Sequence, residues 1–110
     1  MKVIFLPEVL DYFEELAYTL YEKDYFGFYE SARKYVEELV EDIKTNLPIS
    51  PSRKAPIYFD KFGKNMEYAI FRKSKRTAWY VFFRVYKEMG NEIFQIRYIA
   101  NNHTIAQYLI

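Results

Sequence analysis

The spacing of apolar residues changes once along this 110-residue chain, within a stretch that holds three prolines, residues 48–56. Before that stretch, apolar residues recur at helical intervals, as in Val9, Phe13 and Leu16. After it, apolar and polar residues alternate, which is typical of strands with one buried face. Helices first and strands grouped afterwards predict an α+β fold, because a parallel α/β sheet would alternate the two.

The first half predicts a short strand and two helices. Residues 2–6 form the strand, and Pro7 suits the first turn of the helix that follows. The second helix begins near residue 25 or residue 28 and extends to residue 46. We expect the two helices to form an antiparallel hairpin with an acidic outer face.

The second half predicts three or four strands. Residues 57–59 are a short strand, and residues 66–72 and 77–86 are two longer ones joined by a turn. The β-branched and aromatic residues of 77–86 favour a central position in the sheet. Residues 105–110 are a short apolar tail, either a helix or a final edge strand.

These elements predict a single domain, residues 1–110. The helical hairpin packs on one face of a small twisted antiparallel sheet, and the first strand lies at an edge. In residues 93–99, simple alternation places Arg97 and Ile99 on one face and Tyr98 on the other.

Charge is divided between the two halves of the chain. Residues 1–46 carry eleven Asp and Glu against five Lys and Arg, a net charge of −6. Residues 47–110 carry four acids against eleven bases, a net charge of +7. The division indicates a face that meets a polyanion or an acidic partner, or, alternatively, two solvated faces that attract each other.

Several classes of site have no residues to support them. The chain has no Cys, one His and three scattered Gly, so we expect no metal, no cofactor and no phosphate-binding glycine loop. The apolar run at the N-terminus stops after four residues, too few for a signal peptide or a membrane span. We expect a soluble cytoplasmic protein that does not bind membranes.

A cluster of cations beside aromatic residues is the strongest local pattern. Residues 72–76 read Arg-Lys-Ser-Lys-Arg, and Trp79 and Tyr80 follow shortly after. Phosphates bind cations, and single-stranded RNA stacks its bases on aromatic rings. A solvated hairpin tip is the alternative interpretation. The candidate RNA-binding residues are Lys61, Lys64, Lys73, Lys75, Trp79 and Tyr80.

The polar turn at residues 101–104 contains the single histidine, His103. Histidine titrates near neutral pH, so His103 is a candidate general acid or base. The alternative is a histidine that only makes local hydrogen bonds.

The chain resembles the RelE/ParE family of bacterial toxins from type II toxin–antitoxin pairs. Residues 7–9 open the first helix after a short strand, as in that family. Residues 68–72 and 79–85 are similar to the family's strands around its central hairpin, and residues 99–108 to its closing segment. The resemblance is one of pattern and spans nearly the whole chain.

The resemblance implies an α+β toxin with two helices on a twisted antiparallel sheet. It implies either metal-independent cleavage of mRNA on the ribosome or, in the ParE branch, non-enzymatic poisoning of DNA gyrase. A third possibility is an inactive relative that only binds an antitoxin. In each case the implied partner is a cognate antitoxin.

The resemblance also implies candidate catalytic residues. Arg72 matches a basic position on the family's preceding strand, and Arg76 stands just before the central strand, where Tyr80 occupies the usual arginine position. His103 and Tyr108 lie in the C-terminal region where some nucleases carry Arg, His or Tyr, and Asn102 stands where a basic residue is expected. The implied catalytic residues are His103, Arg72, Arg76 and Tyr108.

Overall fold

A computed structural model describes residues 1–109 and shows an α+β fold. The last residue of the predicted domain and of its apolar tail, Ile110, lies outside the described residues. The elements are β1 (Lys2–Phe5), α1 (Pro7–Glu22), α2 (Tyr29–Asn46), β2 (Arg53–Lys54), β3 (Glu67–Arg72), β4 (Ala78–Glu88), β5 (Asn91–Asn101) and α3 (Asn102–Ile105). Short 3₁₀ helices cover Leu47–Ile49, Ile57–Phe62 and Ala106–Tyr108.

The five strands form one sheet in the order β1-β5-β4-β3-β2. The pairs β2–β3, β3–β4 and β4–β5 are antiparallel, and β1 lies at the edge, as expected. Because β1 runs parallel to β5, the sheet is mixed, and the predicted antiparallel pairing holds for β2 to β5 but not for β1. Parallel pairing needs a long connection, and the helices and three strands between β1 and β5 supply one.

The two long helices begin where the backbone allows them to. Pro7 opens α1, where a missing N–H costs no hydrogen bond. Asp24 has a positive φ of 60°, which interrupts the helical path. The backbone is still extended at Phe28, with a φ of −132° and a ψ of 142°, and α2 begins at Tyr29. A start at residue 25 is therefore wrong, and the alternative at residue 28 adjoins the observed start.

Each face of the sheet has its own apolar core. On one face, sheet residues such as Phe71 and Val81 pack with buried residues of α1 and α2, including Phe13 and Leu39. We call this the helical face. The opposite face carries a second core, made by Phe59, Met66, Tyr68, Phe82, Ala100 and Ile105.

The 3₁₀ helix Ile57–Phe62 covers part of the second face, so the predicted strand at residues 57–59 is wrong. A strand would place Ile57 and Phe59 on the same side. Instead, Ile57 is 85% exposed while Phe59 is fully buried and stacks on Phe82, with ring centres 4.3 Å apart. Pro56, just before the segment, has the φ of −60° that suits the start of a helical turn.

A β-bulge in β5 overturns the simple alternation expected there. Phe82 pairs with Tyr98 and Phe83 pairs with Ile96, so Arg97 is an extra residue without a partner. The extra residue moves Tyr98 to the second core and Ile99 to the helical face.

The bulge residue also fixes the 3₁₀ helix Ile57–Phe62 to the sheet. Arg97 Nε donates a hydrogen bond to the Phe62 carbonyl at 2.7 Å, and its Nη1 donates to Gln95 Oε1 at 2.8 Å. Gly63 has a φ of 151°, and a Cβ there would collide with the Arg97 side chain. A glycine therefore ends this segment, because glycine tolerates the positive φ and has no Cβ to collide with Arg97.

Candidate functional site

Three arginines from different strands share the second face of the sheet with Arg97. Residues that pair directly across neighbouring strands point to the same side. Arg53 pairs with Tyr68 of the second core. Arg72 pairs with Ala78, and Arg84 pairs with Gln95. Ala78 and Arg84 are an even number of residues from Phe82 along β4, so they lie on the same face as Phe82 of that core. We call this surface, with Arg53, Arg72, Arg84 and Arg97, the basic face.

The arginines of the basic face have no carboxylate partner among residues 1–109. The two ion pairs in that range are Arg33–Glu37 and Lys44–Glu41, both within α2. Since α1 and α2 pack against the helical face, their acidic residues belong to the other side of the sheet. Unpaired positive charge grouped in this way produces a field that attracts anions.

An aromatic cluster with a lysine borders the basic face. Tyr58 and Tyr108 stack with ring centres 3.8 Å apart and nearly parallel planes. Phe62 and Tyr98 stack in the same way at 3.9 Å. The Lys61 ammonium lies 3.8 Å from the centre of the Tyr58 ring.

This cluster separates the pKa values of two neighbouring tyrosines. Lys61, as a hydrogen-bond donor toward the Tyr58 oxygen, lowers the pKa of Tyr58. The hydrogen bond with Tyr58 raises the pKa of Tyr108. The two phenols therefore differ in how readily each loses its proton.

Tyr58 is not among the residues that the sequence singles out. It falls in the predicted strand at residues 57–59, and a strand continued to Lys61 would turn Tyr58 and Lys61 to opposite sides. A helical interpretation places residues three apart on the same side, as the structure does. The proline before the segment is the sequence feature that could have indicated this.

His103 lies away from this cluster, in a cleft of about 500 Å³ on the helical side of the sheet. The cleft is bounded by α1, residues 23–26, the turn between β3 and β4, and α3. Lys73 also lines it, whereas Arg72, Arg76 and Tyr108 do not. The four predicted catalytic residues are thus not grouped around one cavity.

Arg76 is exposed in the β3–β4 turn, and its carbonyl accepts a hydrogen bond from Asn102 Nδ2 at 3.1 Å. Asn102 Oδ1 accepts a second hydrogen bond, from the Ala78 amide, at 3.0 Å. Asn102 therefore ties the turn to α3. Where the resemblance leads one to expect a basic residue, this chain has an amide that makes two structural hydrogen bonds.

Trp79 is not available to stack on a base, contrary to expectation. Its side chain points to the helical face and is 2% exposed. Its Nε1 donates a hydrogen bond to the Tyr35 hydroxyl at 3.0 Å. The reason is strand alternation, which turns adjacent residues of β4 to opposite faces. Tyr80 lies on the second face, half-buried beside Tyr68.

The predicted RNA-binding lysines are divided between several places. Lys61 belongs to the aromatic cluster, and Lys64 is exposed in the turn that follows Gly63. Lys73 lines the cleft, with its ammonium 5.7 Å from the centre of the Tyr35 ring. Lys75 is exposed at the tip of the β3–β4 turn.

Within residues 1–109, no helix is both long enough and apolar enough to cross a membrane. No protein-family model matches the chain, and no solved structure matches it.

Proposed function

We propose that this chain is the toxin of a type II toxin–antitoxin pair of the RelE/ParE kind, a cytoplasmic mRNA interferase that acts on ribosome-bound mRNA without a metal. The observation that carries the proposal is the basic face, whose arginines lack carboxylate partners within residues 1–109. The order of elements supports it, with α1 and α2 forming the proposed helical hairpin ahead of the antiparallel strands.

Binding is the first role of the basic face. Arg53, Arg72 and Arg84 are exposed, so their guanidinium groups are free to contact phosphates of an RNA strand. Tyr80 offers part of a ring on the same face for stacking. A cognate antitoxin would neutralise the toxin by covering this surface.

Cleavage by the RNA's own 2′-hydroxyl needs a proton acceptor, a proton donor and cations for the charge that develops on the phosphorus. Tyr58, whose pKa Lys61 lowers, is in its phenolate form the proposed acceptor of the 2′-hydroxyl proton. Tyr108, whose pKa is raised, is the proposed donor. Arg72 and Lys61 supply positive charge. His103 lines a different surface and has no step in this scheme.

Induced expression in bacteria tests the proposal. We expect growth arrest and cleavage of ribosome-bound transcripts. The double variant Arg72→Ala/Arg84→Ala should abolish both effects, and Tyr58→Phe/Tyr108→Phe should abolish cleavage. The double variant Arg33→Ala/Lys34→Ala, on the exposed surface of α2, serves as the charge-matched control. Full toxicity of the Arg72→Ala/Arg84→Ala protein would refute the proposal.

A gyrase poison is the second candidate, and one observation favours it. The residues expected to catalyse cleavage lie on separate surfaces, with His103 in the cleft and Tyr108 stacked on Tyr58. A non-enzymatic toxin needs no catalytic centre, and its basic face would dock an acidic protein surface. Inhibition of gyrase supercoiling by the purified protein, without RNA cleavage, would select this function.

A further inference from the structure

The cleft on the helical side is a separate site with its own chemistry. Its volume of about 500 Å³ lies within the range of small-molecule pockets, on the order of 300–1,000 Å³. None of the arginines of the basic face lines it. It lies beside the apolar core that α1, α2 and the sheet form.

Aromatic rings form part of the walls of the cleft. Tyr12, Tyr25, Phe26 and Tyr35 line it, and Trp79 contributes part of its buried ring. Phe26 and Tyr35 contact each other with ring centres 5.5 Å apart. Tyr25 is 70% exposed. Flat, partly exposed rings around one space fit a planar aromatic ligand. Such stacking tolerates different ligands, because every aromatic base has a flat face.

Two lysines, Lys23 and Lys73, line the cleft, and Glu15 is the single carboxylate among its described lining residues. The other polar lining residues, including His103, carry hydroxyl, amide or imidazole groups. The Lys73 ammonium lies 5.7 Å from the centre of the Tyr35 ring. A cation beside a stacking surface suits a ligand that carries an anionic group attached to an aromatic ring. Glu15 can accept a hydrogen bond from an amino group on that ring.

The turn that carries Lys73 is held in place by hydrogen bonds. Ser74 Oγ accepts from the amides of Arg76 at 3.2 Å and Thr77 at 3.1 Å. Asn102 joins the same turn to α3, the helix of His103. Because these bonds fix the two elements before any ligand arrives, less ordering is left to be done on binding.

We infer that this cleft binds a nucleotide, with the base against its aromatic rings and the phosphate at Lys73 and Lys23. The ligand is either a free mononucleotide or one nucleotide of an RNA strand, since the two share this chemistry. The inference does not depend on the chain being a toxin.

The fluorescence of Trp79, the single tryptophan of the chain, provides a reporter at the cleft. Purified protein is titrated with AMP, adenosine and ribose 5-phosphate. We expect saturable binding of AMP, and binding of either half at least about tenfold weaker, because each lacks one of the two recognised groups. Adenosine binding as tight as AMP binding would overturn the phosphate site.

Two variants test the walls of the cleft. Lys73→Ala and Tyr25→Ala should each weaken AMP binding by about tenfold, the loss expected for one charged contact or one stacked ring. Lys34→Ala and Tyr18→Ala, exposed residues outside the cleft, are the matched controls and should change nothing. Equal AMP binding by all four variants would refute the site.

A short adenine oligoribonucleotide distinguishes the two sources of ligand. Binding at least about tenfold tighter than AMP, and still sensitive to Lys73→Ala, assigns the cleft to an RNA strand. Binding no tighter than AMP assigns it to a free nucleotide. No saturable binding of either probe at millimolar concentration overturns the inference. That failure leaves the growth assay of the basic face unaffected, so the two proposals are refuted separately.

Discussion

The Trp79–Tyr35 hydrogen bond is the clearest case of a single contact that links two elements. The indole N–H on β4 is buried, and its partner is the Tyr35 hydroxyl on α2. A buried donor without a partner costs more than the hydrogen bond itself contributes. The Lys73 ammonium lies near the Tyr35 ring, so Tyr35 belongs to both the core and the cleft.

Replacing Tyr35 with Phe removes that acceptor and keeps the ring. We expect Tyr35→Phe to lower the free energy of unfolding by about 1–2 kcal/mol, measured by urea denaturation. Tyr29→Phe, on the exposed surface of the same helix, should change it by less than about 0.5 kcal/mol. Equal stability of Tyr35→Phe and the parent protein would show that the indole N–H is paired in another way.

Tyr12 gives stability a dependence on alkaline pH. Burial, with a smaller contribution from Tyr98, raises the pKa of Tyr12 from 10.0 to about 12. Between these values the unfolded chain has lost this proton while the folded protein still holds it, so the free energy of unfolding falls as pH rises. We expect Tyr12→Phe to make the fall shallower above about pH 10, in unfolding curves recorded at several pH values. An identical pH dependence in the two proteins would contradict the assignment.

At the scale of elements, what the sequence predicts depends on how local the cause is. The strands at 66–72 and 77–86 and both long helices follow from apolar spacing alone, which is a local property. The bulge at Arg97 comes from the pairing of β5 with β4. The 3₁₀ helix Ile57–Phe62 packs on the second core through Phe59. The bulge is not visible in apolar spacing, because it depends on a strand elsewhere in the chain. The 3₁₀ helix has one local signal, Pro56, but its packing depends on residues far away in sequence.

Arg97 should control the attachment of the 3₁₀ helix Ile57–Phe62. We expect Arg97→Ala to lower the free energy of unfolding by about 1–3 kcal/mol, because it removes a charged donor to the Phe62 carbonyl. Amide exchange at Phe59 and Gly63 should become faster than in Arg84→Ala, the control from the same face. Unchanged exchange at these two amides would show that the aromatic stacking alone holds the segment.

At the scale of the whole molecule, the opposite charges of the two halves of the sequence are only partly separated onto opposite faces of the sheet. The arginines of β2, β3, β4 and β5 share one face, as the charge count indicates. Trp79, Lys73 and His103 lie on the helical side instead. Proximity in sequence brought Trp79 and Tyr80 together as candidates, yet strand alternation separates them. The sequence therefore predicts which types of residue the candidate site contains, but not which face of the sheet each of them occupies.

Salt dependence measures the basic face directly. We expect the purified protein to bind single-stranded RNA with an affinity that falls as salt rises. Arg72→Ala should reduce the slope of log affinity against log salt by about 0.7, the value for one phosphate contact on a single strand. Arg33→Ala, on the helical side, is the control and should keep the parent slope. A parent slope in Arg72→Ala would show that this arginine does not touch phosphate.

The placement of α1 and α2 against one side of the sheet, with arginines on the other, also affects events before contact. Carboxylates at one pole and guanidinium groups at the other give the molecule a permanent electric dipole. In a polyanion's field, that dipole turns the arginine side forward during diffusion, so more encounters begin in a productive orientation. Dissolved ions shorten the reach of this torque to about 8 Å at physiological ionic strength. The molecule would thus be aligned only in the last step of its approach.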